Sequence, residues 1–295
     1  MSNSYLSYFN YLTDRLDKGT SQNIVPSTVA ELCKKHLLIS DTCKVLDIGC
    51  FNGSMLNRAL MTLSNELRAS IKCVGFDIDN IALTIGSRQH PHINFVCGAI
   101  EYPLPFQSTF NITILSNILH EIFSNKKRQL VSDTDAKNYV VQSVKYACQT
   151  LSKFGTLVIL EGVLPPEPDK KIVVEFQNEA TFNDFRSLIS DFVFPITYLP
   201  LDKQIIELSA RHLAIFLAKA RYLHEEYCSL EATQVYQFFT ENDFCEALNS
   251  AGMIIEESKV IPQPIESWNS KLKILTEGYN YPPKNIMIVA RKKQA

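Results

Sequence analysis

The chain has 295 residues, 46% of them apolar, and carries 29 lysines and arginines against 31 aspartates and glutamates. That length suits one large domain or a domain with a sizeable insertion, and the apolar share is ample for a buried core. Nearly balanced charge gives no global attraction to nucleic acid or an anionic membrane, so neither is expected as a partner, and no apolar run approaches the roughly 20 residues that span a bilayer.

The eight cysteines are scattered, with no spacing of a metal knuckle or a redox pair. No metal is expected, and the thiols are read as reduced core residues of a cytoplasmic protein. A basic segment followed by an apolar stretch is missing from the first residues, so a signal peptide is not expected.

Residues 1 to about 40 are helical in character. Tyr5, Leu6, Tyr8, Phe9, Leu12 and Leu16 recur at helical spacing, Gly19 to Asn23 breaks the run, and Pro26-Ser27-Thr28 opens a second helix through His36. Next comes Val45-Leu46-Asp47-Ile48-Gly49-Cys50-Phe51-Asn52-Gly53-Ser54, an apolar run that ends in an acid and a glycine loop, before a helical stretch from Met55 to Leu63. It reads as a buried strand feeding a helix through a turn tight enough for a ligand to touch the backbone. A dinucleotide fingerprint would need glycine at Phe51 and at Ser54, and a P-loop would need a lysine after Gly53, so both are set aside.

Strand and helix signals then alternate, which predicts a parallel sheet covered on both faces. The second strand, Ile71 to Phe76, ends in Asp77-Ile78-Asp79. A carboxylate at that tip offers two acceptor oxygens to the two hydroxyls of a ribose, the role assigned to Asp77, while Asp79 caps a helix from Asn80 to about Arg88. The third strand is Ile93 to Cys97, the fourth Ile112 to Leu115, and the fifth Thr156 to Leu160. A helix from Asp135 to Ser152 precedes the fifth, with Gly155 suited to a left-handed C-cap. Thr240 and Asp243 mark the start of the final helix. Met253 to Glu257 and Asn285 to Ala290 complete the set as sixth and seventh strands, the last antiparallel.

The sequence Asp47, Gly49, Gly53, then Asp77, then Gly98-Ala99-Ile100-Glu101, then Leu119-His120-Glu121 and Glu161-Gly162 resembles, in order and spacing, the class I S-adenosylmethionine-dependent methyltransferases, small-molecule branch. The resemblance covers residues 45 to 165 and implies a Rossmann-like α/β fold with a seven-stranded sheet. It implies that Asp47 faces the methionine end of the cofactor, that Gly49, Cys50, Phe51 and Gly53 carry the cofactor against the backbone, and that Asp77 and Ile78 meet the ribose. It further implies that Ala99, Ile100 and Glu101 lie at the adenine and that Ser116 and Asn117 flank the reacting end. Phe51, Ala99 and Asn111 depart from the family's usual Gly, Asp and Asp. Ser116-Asn117-Ile118-Leu119 is not the Asp/Asn-Pro-Pro-aromatic motif of amino-methyltransferases, which leaves small-molecule O-, N- or C-methylation. His120, Glu121 and Glu161, at the carboxyl edges of the fourth and fifth strands, are the candidate general bases, although His120 reads more readily as a hydrogen-bonded histidine opening a helix beside the cofactor.

Residues 165 to 237 are an insertion after the fifth strand, expected as a helical substrate lid because ligands bind at the carboxyl edge of such sheets. Gln204 to Tyr227 reads as one mostly buried helix, and the nine Phe and Tyr side chains from Phe176 to Tyr227 suggest an aromatic enclosure for a ring-bearing, lipid-like or small-peptide acceptor. His212, His224, Arg211 and Arg221 are placed to reach the pocket. The long link from Ile261 to Lys284, with Trp268, Tyr279 and Tyr281, is expected to add a second wall. Residues 1–40 either cover the cofactor cleft or simply cover the sheet, and residues 41–164 with 238–295 form the core. Two other readings stand beside an acceptor-specific methyltransferase: a catalytically idle cofactor-binding partner subunit, and a protein methyltransferase.

Overall fold

The computed structural model describes residues 3–18, 23–129 and 131–293. Of the break expected at Gly19 to Asn23, residues 19–22 lie outside the described residues. In chain order the elements are α1 (Asn3–Lys18), α2 (Ile24–Leu37), β1 (Cys43–Ile48), α3 (Ser54–Met61), α4 (Asn65–Ala69), β2 (Ile71–Asp77), α5 (Asn80–Gln89), β3 (Ile93–Cys97), β4 (Phe110–Ser116), α6 (Leu119–Arg128), α7 (Asp133–Thr150) and β5 (Leu151–Gly162). There follow β6 (Lys171–Phe176), α8 (Glu179–Asp191), β7 (Tyr198–Pro200), β8 (Ile205–Ser209), α9 (Ala210–Lys219), α10 (Cys228–Glu231), α11 (Glu241–Ser250), β9 (Met253–Ile261), β10 (Leu272–Ile274) and β11 (Asn285–Lys292).

The main sheet has the order β3-β2-β1-β4-β5-β11-β9, and β11 alone runs against its neighbours. This is the expected Rossmann-like seven-stranded sheet. The central strands are buried on both faces, Val45 and Ile114 toward α2 and α3, Leu46 and Leu115 toward α6 and α7, so they read as continuous apolar runs. Strand order reverses between β1 and β4, whose ends are level because Ile48 lies opposite Leu115. A crevice opens at that reversal, beyond the carboxyl ends of the strands.

Local chemistry fixes the boundaries. Asp79 caps α5 by accepting from the N–H groups of Ile81 and Ala82 at 2.9 and 3.1 Å. Thr240 and Asp243 form a reciprocal capping box at α11. Gly155 does not cap a helix. Ser132 starts α7 early, the helix ends at Thr150, and Gly155 lies within β5, where a Cβ would stand 2.9 Å from the Phe110 carbonyl oxygen.

The insertion carries helices and, in addition, strands β6, β7 and β8 of a second sheet, ordered β10-β6-β8-β7, whose edge strand β10 comes from the link after β9. The single helix expected from Gln204 to Tyr227 is divided. Ile206 and Leu208 alternate inward as strand residues, and Ser209 then accepts from the His212 N–H to start α9. Phe176, Phe185, Phe216 and Trp268 pack on one another between this sheet and its helices, with ring centroids 5.2–5.9 Å apart. Those rings therefore fill a core and do not enclose a ligand, and the link from Ile261 to Lys284 spends its aromatic residues on the same sheet. Among the described residues no helix is long and apolar enough to cross a membrane.

Candidate functional site

A cavity of about 380 Å³ lies over the crevice between β1 and β4. Its floor is the loop after β1. Gly49 has φ +74°, and a Cβ there would come within 2.8 Å of Ile118, so the chain turns where only glycine fits. Phe51 is also left-handed, at φ 51°, and so is Asn117 across the crevice, at φ 54°. Two non-glycine residues in this region, one on either side of the crevice, are stored strain, held by specific contacts. The Phe51 N–H donates to Asp77 Oδ2 at 2.7 Å, and its ring packs 4.7 Å from Phe9 of α1.

Asp77 accepts from the Asp79 N–H through its other oxygen, at 2.9 Å, so the carboxylate stands rigid at the tip of β2. Asp47, at the tip of β1, is 1% exposed, and neither of its oxygens has a hydrogen-bond partner among the described residues. Burial, reinforced by the charge of Asp77, pushes the Asp47 carboxyl well above the usual carboxylate range. Burial likewise raises Asp77, against the pull of its backbone N–H donors. Glu121, opposite, is pushed up to about 7, mainly by burial. The cavity thus concentrates acid that is costly to ionise while empty.

His120 and Glu161 form the other fixed pair. Glu161, 1% exposed, receives the Leu119 and His120 N–H groups on Oε2 at 2.9 and 3.2 Å, closing the start of α6. Its Oε1 lies 2.8 Å from His120 Nδ1 and accepts from the Gly162 N–H at 2.9 Å. With Nδ1 turned to the carboxylate, Nε2 is the ring nitrogen left for the cavity. Burial lowers the His120 pKa, but the Glu161 carboxylate outweighs it and the net shift is upward.

Of the residues singled out from sequence, Asp47, Gly49, Cys50, Phe51, Asp77, Ile78, Ala99, Ile100, Glu101, Ser116, Asn117, His120 and Glu121 all line this cavity. Gly53 and Glu161 stand one layer behind it: Gly53 precedes α3 at φ +78°, and Glu161 reaches the cavity only through His120. Glu101 is engaged by Lys126 at 3.0 Å. Asn111 lies at the opposite edge of the sheet, where its Oδ1 accepts from the Lys44 N–H, so its departure from the family pattern has no bearing on the cavity. His224 is exposed and pairs with Asp184, His212 sits against Thr197, and Arg211 faces Asp133 and Asp169; of those four insertion residues Arg221 alone reaches the wall.

No protein-family model matches the sequence, and no curated protein matches it significantly. Among solved structures, the chain is similar to an S-adenosylmethionine-dependent methyltransferase from Methanosarcina mazei, with 14% identity over 89% of this chain and 98% of that one at a TM-score of 0.47. It is similar to the YcgJ protein of Bacillus subtilis, with 13% identity over 90% and 98% at 0.48, and to the (4+2)-cyclase SpnF, with 11% identity over 91% and 81% at 0.48. Identities this low and scores below 0.5 carry no chemistry; the side chains must.

Several further residues join the wall, some from the leading helix expected over the cleft or the sheet and some without a signal in the sequence. Tyr8, Phe9 and Leu12 of α1 lie over the cavity, and Asn125, Gln234, Tyr236, Gln237, Lys284 and Asn285 close its far side. The helical spacing of α1 marks an apolar face, but not what that face covers. The far-side residues sit in connections without motif or periodicity. Among the described residues, no group of three or more His, Cys, Asp and Glu side chains is placed to hold a metal ion.

Proposed function

We propose that the chain binds S-adenosylmethionine in this cavity and transfers its methyl group to an oxygen, nitrogen or carbon of a small molecule. The observation that carries the reading is Asp47, a buried carboxylate without a hydrogen-bond partner, next to Asp77 in an acid-lined cavity. A buried carboxyl group of this kind calls for a ligand that brings donors and positive charge. The residues present fit the cofactor: Asp47 accepts from its ammonium, Asp77 accepts the ribose hydroxyls with the lone pairs its backbone donors leave free, and the left-handed turn at Gly49 removes the Cβ that would keep a ligand off the backbone. Glu121 adds negative charge to the same wall.

The cofactor supplies a methyl group already activated on a positively charged sulfur. What the chain adds is position and dryness, which account for most of the acceleration such a step needs. Residues 165–237 act as the substrate lid in this reading, since Ala218, Arg221, Gln234, Tyr236 and Gln237 close the cavity. Glu161 orients His120, whose Nε2 takes the proton of an acceptor O–H or N–H. A positive ligand beside it favours the neutral imidazole, the form that can accept. The rate is then expected to rise with pH as His120 loses its proton, at a lower pH than in the ligand-free protein, where Glu161 shifts its pKa upward.

The test is incubation with S-adenosylmethionine labelled in its methyl group and a fractionated cell extract, with His120→Ala in parallel. Label in the small-molecule fraction that falls 10²–10⁴-fold in the variant, the usual range for a general base, is expected. Label on protein alone would move the acceptor to a polypeptide, and bound cofactor with no transfer to any fraction would make the chain a cofactor-binding partner subunit.

A further inference from the structure

Tyr236 and its neighbours form an extended segment between α10 and α11 that is fixed from several directions. The Val235 N–H donates to Ser124 Oγ at 2.8 Å, and that hydroxyl donates in turn to the His120 carbonyl at 2.7 Å. Gly162, the residue after Glu161, lets the segment pass so close that a Cβ there would stand 2.3 Å from the Tyr236 carbonyl oxygen. The Tyr236 ring meets the His120 ring edge-on at 4.5 Å, and its hydroxyl donates to Glu231 at 2.5 Å. A segment tied in this way to both members of the His120–Glu161 pair is preorganised relative to the reacting group.

Two side chains of that segment break the pattern of satisfied polar groups. Gln237 is 2% exposed and Gln234 half-buried, both line the cavity, and the Oε1 atom of each is buried with no hydrogen-bond partner. An amide carbonyl left so in a rigid, well-packed wall is a persistent cost. Among the described residues, the other cavity side chain in this condition is Asp47, at the tip of β1.

We infer that Gln234 and Gln237 select the acceptor: they demand a substrate that presents at least two O–H or N–H donors to the His120 side of the cavity, such as a polyhydroxylated or amino-substituted ring. This inference rests on the cofactor reading above and names the substrate class of the same site. Unpaired acceptors discriminate strongly, because an analogue without the donor leaves them buried and unmet. The two donors meet the two amides on binding; when one of the two donor atoms turns its proton to His120 Nε2 it becomes the nucleophile, and after methyl transfer an O–H acceptor presents one donor fewer, so the product fits the amides less well than the substrate did.

The test is a ligand-observed NMR screen on protein saturated with S-adenosylhomocysteine. The probes are matched pairs of ring fragments, catechols, phenols and aminophenols, each against its O- or N-methylated counterpart. Donor-bearing members are expected to bind about tenfold or more tightly per blocked donor. That preference disappears in Gln234→Leu/Gln237→Leu, while S-adenosylhomocysteine affinity stays unchanged. Gln237→Leu is also expected to raise the melting temperature of the ligand-free protein by about 2 °C, by removing an unmet acceptor. Equal binding of both members of the pairs, no binding of any, or a melting temperature that falls would overturn the inference, as would loss of S-adenosylhomocysteine affinity in the variants, which would assign the glutamines to the cofactor. If S-adenosylhomocysteine fails to bind the wild type, it is the cofactor reading that fails, and the same screen on the ligand-free protein still reads the donor preference.

Discussion

On the wall made by the strand ends, Asp47 is buried beside Asp77 with no hydrogen-bond partner, and the loop between them holds Phe51 in a left-handed conformation. Behind the wall made by the insertion, charge meets charge: Lys219 and Glu231, each 2% exposed, pair at 2.7 Å, Tyr236 of the wall donates to the same carboxylate, and the ammonium lies 3.5 Å from the Tyr236 ring centre. Lys219 holds the Glu231 carboxyl below its usual range despite burial, whereas Asp47 is pushed up. The difference separates two kinds of buried charge. The strand-end wall carries charge whose cost a ligand relieves; on the insertion's side the charge is balanced within the protein, and the amide oxygens of Gln234 and Gln237 are what a ligand would meet.

Removing a charge should therefore have opposite effects on the two walls. Lys219→Met leaves Glu231 buried and unpaired, and is expected to lower unfolding stability by about 3–5 kcal/mol. Lys219→Met/Glu231→Leu recovers most of that loss in chemical denaturation. Asp77→Ala is next in size. It removes the acceptor for Phe51 and for the ribose, and S-adenosylmethionine affinity measured by calorimetry falls about 100-fold.

The third expectation concerns pH. Glu121 titrates near 7 when folded, against an ordinary value of 4.5. The unfolded chain therefore gives up this proton first. The stabilising contribution is whole below about 4.5 and is lost as pH rises to about 7, by about 2–3 kcal/mol in the ligand-free protein. Urea unfolding between pH 4 and 8 reads this loss, and Glu121→Gln flattens it. Smallest is Asp47→Asn, which removes an ionisable group from a site that resists its charge. The ligand-free melting temperature at pH 7 rises by about 2 °C, and cofactor affinity drops. A fall in melting temperature would place Asp47 in the same class as Lys219.

The same contrast separates what the sequence discloses from what it conceals. Asp47, Asp77 and the Asp79 cap were readable because each closes an apolar strand or opens a helix, positions that the alternation of elements fixes without knowledge of distant partners. Strand β3 was readable in full, Ile93 to Cys97, for the same reason. The pairing of His120 with Glu161 follows once β4 and β5 are neighbours. Gln234, Tyr236 and Gln237 carry no such mark, since the contact that fixes their segment to Ser124 spans 111 positions. The second sheet was hidden because β7 and β10 are three residues long, and β10 joins β6 from the far end of the chain. Ile205 to Ser209 fits a helix as well as a strand by hydropathy, and only its neighbours β6 and β7 decide the matter.

The most direct measurement is a calorimetric titration with S-adenosylmethionine at pH 7, run in two buffers of different ionisation enthalpy, on the wild type and Asp47→Asn. Micromolar binding that releases protons is expected, because a cation entering the cavity drives carboxyl groups held toward protonation into their charged form. The variant should bind more weakly and release fewer protons. A folded wild type that binds no cofactor, or binds it with no proton release and no dependence on Asp47, would contradict the assignment of this acid-lined cavity to S-adenosylmethionine.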